Sequence, residues 1–288
     1  MSVTARRDST GGANLRVDAP TRDAVDHGLF GPGSVTWRVH LEPIMWVGGL
    51  RALMLQSLHP RVMRGTYQNS ALFDPNRAWA RFQRTAEFVG VRTFGTREQV
   101  AELGARVRAM HGKLRGFDPD TGTTFRIDDP DLLLWVHCAE IDSYVEVALR
   151  AGIITAAEAD AYVAESVQSA QVVGLADAPR SRAELRAYFD QVRPQLRMTE
   201  EGRIALVNLL TVRLPAPLVA RLALPPIALL AFATLPRWAR RMCSAPGLPT
   251  TDVSATVALR ALREVTRFLP DLPASPDVER ARRIMRGR

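Results

Sequence analysis

The chain has 288 residues, 47% of them hydrophobic and 24% charged, enough for one large domain or two small ones with a sizeable core and no need of covalent staples. Two isolated cysteines, Cys138 and Cys243, exclude a disulfide framework and a CxxC metal site. The net charge of +8 rests almost wholly on arginine, Lys113 being the only lysine. The arginines are spread along helical segments instead of forming a stripe with interleaved aromatics, so no nucleic-acid partner is expected.

In chain order, residues 1–27 read as a flexible N-terminal segment. Met1 to Val17 is polar and lacks an apolar stretch before a small-residue cleavage site, so no secretory signal is expected and the location reads as cytoplasmic. Helix signals dominate the rest. Asp74-Pro75, Asp129-Pro130 and Ser275-Pro276 pair a cap residue with proline at the first helical position. Thr96–Gln99, Thr155–Glu158 and Ser181–Glu184 have capping-box spacing. Each precedes apolar residues recurring at three and four. Helices are therefore expected near 35–58, 75–92, 97–115, 130–150, 156–173, 182–194 and 200–211, with shorter ones to 286. Strand signals are sparse: Phe117 to Ile127 reads as a small hairpin, and the Asp118/Asp120 pair within it reads as a plain turn. No βαβ alternation and no fixed-period repeat occurs. The fold class expected is all-α, one multi-helix domain over 28–288. The basic tail from Arg280 to Arg288 reads as a solvated terminal helix.

Residues 204–241 are unusually apolar. The longest charge-free piece, Leu222 to Pro236, is interrupted by Pro225-Pro226 and falls short of the roughly 20 residues that a spanning helix needs. The expectation is of buried helices broken by proline, lining an apolar cavity. The alternative is peripheral contact with a membrane surface, an apolar face with arginine flanks.

The five histidines are His27, His40, His59, His111 and His137. None forms an HExxH or a helical zinc pair, and no GxSxG, P-loop or GxGxxG motif occurs. A spaced set remains. Arg81 and Thr85 lie at i and i+4 on one helix face, where a cation and a hydroxyl can hold a bound oxygen species or a cofactor carboxylate. Taken alone, the pair reads equally as an exposed arginine beside a helix threonine. His111 sits with Val107, Met110 and Leu114 on an apolar stripe. There a neutral imidazole can bind iron or simply be a satisfied core histidine. His137 lies in a continuous apolar run. His59, before Pro60, marks a helix end, where its ring can bond the last carbonyls.

Read in order, these segments resemble the MpaB-type oxygenase family, which includes the latex-clearing rubber oxygenases. The likeness rests on GGLRALMLQSLHPRV (48–62), DPNRAWARFQRT (74–85), MHGKLRG (110–116), DDPDLLLWVHCAE (128–140) and the closing FLPDLPASPDVERARR (268–283), and covers roughly residues 28–285. It implies an all-α fold with a globin-like core, haem b as cofactor, His111 as proximal iron ligand, and Arg81 and Thr85 beside the haem. Two departures stand out. Where the rubber enzymes carry a lysine before that threonine, this chain has Arg84, whose guanidinium stays protonated and cannot coordinate iron. The distal carboxylate of those enzymes also has no counterpart, since Arg61 to Phe73 contains no Asp or Glu.

The resemblance therefore implies a haem-dependent oxidoreductase acting on a small or medium apolar substrate with dioxygen or peroxide. His111 would be the metal ligand, Arg81 and Thr85 the polarising pair, and His59 and His137 would orient the site. Two alternatives stand beside it: a haem or lipid carrier or sensor without turnover, and a helical scaffold that has lost its cofactor.

Overall fold

The computed structural model describes residues 25–74, 76–211, 218–268 and 274–287. Most of the N-terminal segment expected over 1–27 lies outside these residues. The described chain is helical, with one small hairpin. It runs α1 (Val35–Leu41), α2 (Met45–Gln56), α3 (Pro60–Asn69), α4 (Ala78–Phe94) and α5 (Arg97–Lys113). The hairpin β1 (Arg115–Asp118) and β2 (Thr123–Arg126) follows. Then come α6 (Pro130–Arg150), α7 (Ala156–Val172), α8 (Arg182–Val192), α9 (Glu200–Thr211), α10 (Leu218–Ala233), α11 (Arg237–Met242), α12 (Thr251–Arg267) and α13 (Pro276–Arg286). This is an all-α architecture.

The core is built on the pair α2 and α6. They approach closely because α2 presents Gly48 to the ring of Tyr144: a Cβ there would stand 2.8 Å from that ring. Further helices cover the pair: α10 packs on α2, α7 on α6 and α1, and α12 on α10 and α6. So α6 is buried on several sides, from Leu132 and Trp135 through Ile141 to Ala148. A second, small core of Trp37, Phe94 and Ala281 joins α1, the end of α4 and α13, and the Trp37 indole donates to the Thr93 carbonyl at 2.9 Å.

Most helix limits fall where caps place them. Thr96–Gln99 and Thr155–Glu158 form reciprocal capping boxes. Ser181 caps its helix, but Glu184 accepts from the Arg180 amide instead of returning to Ser181. Four expectations are corrected. The helix expected over 35–58 breaks at Glu42-Pro43, because proline cannot continue the hydrogen-bond ladder, and Ser34 caps its first half. The turn after Asp74 delays α4 to Ala78, as Asp74 bonds the Asn76 amide with its side chain. Pro60 opens a helix of its own, α3, which the sequence reading had missed. And α10 passes through Pro225 and Pro226 instead of breaking. The carbonyls deprived of donors belong to Arg221 and Leu222, both on the solvent side, where water replaces the lost bonds. Leu218, Leu222 and Leu229 are more than 60% exposed, so α10 is not the buried helix expected of 204–241. No described helix is long and apolar enough to cross a membrane.

The hairpin pairs Arg115 with Arg126 through Asp118 with Thr123. Its aspartates do more than turn the chain. Asp118 is buried and bonded by Arg61 and Arg64 of α3, and Asp120 pairs with Arg64 and Arg197. Burial alone would raise the Asp118 pKa; the hydrogen bonds from Arg61 and Thr121 and the charge of Arg64 outweigh it and hold the carboxyl below its usual value.

Candidate functional site

Helices α4 and α5 are consecutive and joined by the tight Gly95–Thr96 connection, so Arg81, Thr85 and the last turn of α5 come to the same end of the pair. The connected end is well fixed: Arg92, Thr93 and Phe94 are buried, as are Val100 and Gly104. Gly104 is required there, since a Cβ would lie 2.8 Å from the Val172 carbonyl of α7. Beyond these anchors the helices are only half covered. Between Trp79 and Val91 no residue of α4 is fully buried, and Met110 of α5 is 47% exposed. The stripe of Val107, Met110 and Leu114 is therefore not a core face.

At this end Arg81 Nη1 donates to Thr85 Oγ1 at 2.5 Å, and Thr85 Oγ1 donates to the Arg81 carbonyl at 3.2 Å. The threonine proton is thus engaged, and most of the guanidinium donors are not. Among the described residues no carboxylate pairs with Arg81. Its pKa is lowered by burial and by the neighbouring charge of Arg84, whose side chain is exposed.

His111 is half-buried, and its Nδ1 is buried with no hydrogen-bond partner. Burial lowers the His111 pKa and the Arg81 charge lowers it further, while Asp128 partly opposes them. Asp128 is itself held by Arg126 at 2.9 and 2.6 Å. Burial and the Arg81 charge thus favour the neutral ring, whose unprotonated nitrogen carries a lone pair. Arg81, Thr85 and His111 are thus brought together.

His59 and His137 are engaged elsewhere. His59 caps the helix that follows it, not the one before: its Nδ1 accepts from the Val62 amide at 3.4 Å, and its ring lies 6.1 Å from that of Trp135. His137 is buried on α6 beside Glu140 and Arg92. Burial brings both rings to a pKa of about 4. The sequence reading had not found the cluster that His137 joins. Arg92 clasps Glu140 with two bonds, 2.5 and 3.2 Å, and His40 Nε2 lies 2.8 Å from the Tyr162 hydroxyl. Burial opposes both charges, but each outweighs it for the other, so Arg92 ends raised and Glu140 lowered. The signal present in sequence was Glu140 itself, an acid in the apolar run of α6.

No group of three or more His, Cys, Asp or Glu side chains among the described residues is arranged to hold a metal. Cys138 and Cys243 are free, and burial raises both thiols, Cys243 to about 11. An imidazole beside an arginine without a carboxylate is nevertheless the donor set that a carboxylate-bearing porphyrin would need of a protein: one nitrogen for iron and one cation for an acidic substituent. The residues present fit such a group.

Residues 37–268 match the family described as ER-bound oxygenase mpaB/B'/Rubber oxygenase, catalytic domain. No match was found among curated proteins or among solved structures.

Proposed function

The chain belongs to the mpaB and rubber oxygenase catalytic-domain family, and from that premise we propose that it is a haem b-dependent oxygenase of apolar small molecules, with His111 as the ligand to iron. The family supports an oxygenase-type catalytic domain; the assignment of haem and of its ligand is our own reading. The observation that carries it is the buried His111 Nδ1, which has no hydrogen-bond partner, beside an Arg81 with no carboxylate of its own.

When bound, the haem supplies the activation of dioxygen. The chain's part is binding and orientation. His111 offers a lone pair from the half-covered face of α5. Arg81 has guanidinium donors left for a carboxylate of the cofactor, and its bond to Thr85 keeps the side chain turned along α4. Thr85, with its proton committed to the Arg81 carbonyl, acts as an acceptor that fixes Arg81 and does not donate a proton to a ligand. His59 and His137 serve by holding α3 and α6 in place.

The visible spectrum of the purified protein tests this. A Soret band lost in His111→Ala is the expected result; no bound haem after expression with haem supplied would refute it. A second reading, a haem or lipid carrier without turnover, is favoured by one observation. Arg84 stands exposed where the rubber enzymes place a lysine, and the Arg61 to Phe73 segment that precedes it holds no acidic residue. Dioxygen consumption with candidate alkenes separates the two, since a carrier binds and consumes none.

A further inference from the structure

A cleft lies between α2, α3, α4 and α9. Its walls are apolar, among them Leu53, Val62, Met63, Phe73, Phe82 and Leu209. Neither His111 nor Arg81 nor Thr85 lines it, but Phe82 follows Arg81 directly in α4, so cleft and candidate cofactor site share one helix. The cleft's cavity volume is about 70 Å³. A single water takes roughly 10–15 Å³ by the same measure, so the cleft seats on the order of five heavy atoms. That suits the end of a chain and is too little for a porphyrin.

Polar lining is sparse and uncharged: Gln56, Thr66 and Asn208. The Gln56 amide nitrogen donates to the Val136 carbonyl at 3.0 Å, which turns the amide so that its oxygen is left to accept. Thr66 gives its proton to the Val62 carbonyl at 2.8 Å and can only accept. Asn208 makes no hydrogen bond among the described residues, so its amide has donors and an acceptor to offer. A carboxylate or phosphate entering here would lose its hydration without gaining a cation, which disfavours an unpaired buried charge. A hydroxyl can donate to Gln56 and accept from Asn208, and its chain then runs along the apolar walls.

We infer that this cleft binds uncharged amphiphiles, an aliphatic or olefinic chain ending in a neutral hydroxyl, with Gln56 and Asn208 reading the head group and the absence of a cation rejecting acids. The cleft rests on its own geometry; only the step from ligand to substrate rests on the oxygenase reading.

The probes are 9-decen-1-ol, 1-decene and 9-decenoate at neutral pH, measured by calorimetric titration into the full chain and into His111→Ala. The alcohol should bind at least about 10-fold more tightly than the acid and more tightly than the alkene, in both proteins. Asn208→Leu should bring alcohol and alkene within about two-fold of each other with the melting temperature unchanged. Leu209→Trp, which fills the cleft, should abolish binding of all three. Equal affinity for alcohol and acid, no binding of the alcohol below about 1 mM, or a head-group preference that survives Asn208→Leu would overturn the proposal. A missing Soret band with the alcohol preference intact would remove the oxygenase reading and leave the cleft; the reverse pattern would remove the cleft alone.

Discussion

Two regions of this molecule treat polar groups in opposite ways. In the bundle of α1, the end of α4, α6 and α7, buried charges and hydroxyls meet partners, although Arg92 leaves its Nε without one. Arg92 bonds Glu140, His40 meets Tyr162, and Glu165 accepts from the Val35 and Thr36 amides and the Thr36 hydroxyl. In the free end of α4 and α5, Arg81 has a threonine and no acid, and the buried nitrogen of His111 has nothing. Buried polar groups in folded proteins are nearly always satisfied. A charged partner is present in one region and missing in the other, and it is this difference that we assign to a ligand.

The largest expected effect belongs to the paired region. Removing one member of a buried ion pair leaves the other charged and uncompensated, at a cost of about 3–5 kcal/mol. Glu140→Leu should therefore lower the unfolding free energy by that amount, read from the denaturant midpoint. Glu140→Leu combined with Arg92→Met should recover most of it, because no stranded charge remains. Equal losses in the single and double variants would show that Arg92 and Glu140 stabilise the fold through their volume and not through their charges.

Next comes acid. His40, His59 and His137 each have a folded pKa of about 4, against roughly 6.5 in the unfolded chain. The folded state favours the neutral ring, so this stability is complete well above pH 6.5 and is lost as pH falls from 6.5 toward 4, by roughly 2 kcal/mol per ring at pH 5 and roughly 3 kcal/mol at pH 4. The lowered carboxylates such as Glu140 act in the same direction, but only as pH falls through their own depressed values. Unfolding followed at pH 7, 6 and 5 should thus show a steep decline, shallower in His137→Leu. A flat profile across that span would mean that the rings are solvated and the region is not closed.

The same contrast explains what was legible in the sequence. Caps and apolar spacing gave α5, α6 and α7 within one or two residues, because Thr96, Thr155 and Pro130 act on their own neighbours. Arg81 and Thr85 were readable as a pair since they are one turn apart. Arg92 and Glu140 are 48 residues apart, and nothing local links them; only the tertiary fold brings the end of α4 within reach of α6. Nor does periodicity reveal that the His111 stripe stays half covered, since the same pattern serves a core face. Pro225-Pro226 misled for a related reason: whether proline breaks a helix depends on whether the freed carbonyls can reach water, which tertiary placement decides.

The smallest expected effect is the most informative about the site. Arg81 is partly desolvated with no carboxylate to offset it, and His111 contributes no hydrogen bond through its buried nitrogen. Groups placed for a ligand add little to the empty fold, so Arg81→Ala and His111→Ala should each shift the unfolding free energy by less than about 1 kcal/mol, within the range of ordinary surface changes. Compared with Glu140→Leu this is a several-fold difference between two substitutions of buried or half-buried polar residues. A His111→Ala loss of 2 kcal/mol or more in protein without cofactor would place the ring among the structural histidines, with His59 and His137. The comparison between the two regions would then fail at its most important residue, whatever the spectrum showed. A near-neutral effect together with loss of the Soret band assigns His111 to the ligand, because a side chain that costs the fold almost nothing and the cofactor everything has no other partner to serve.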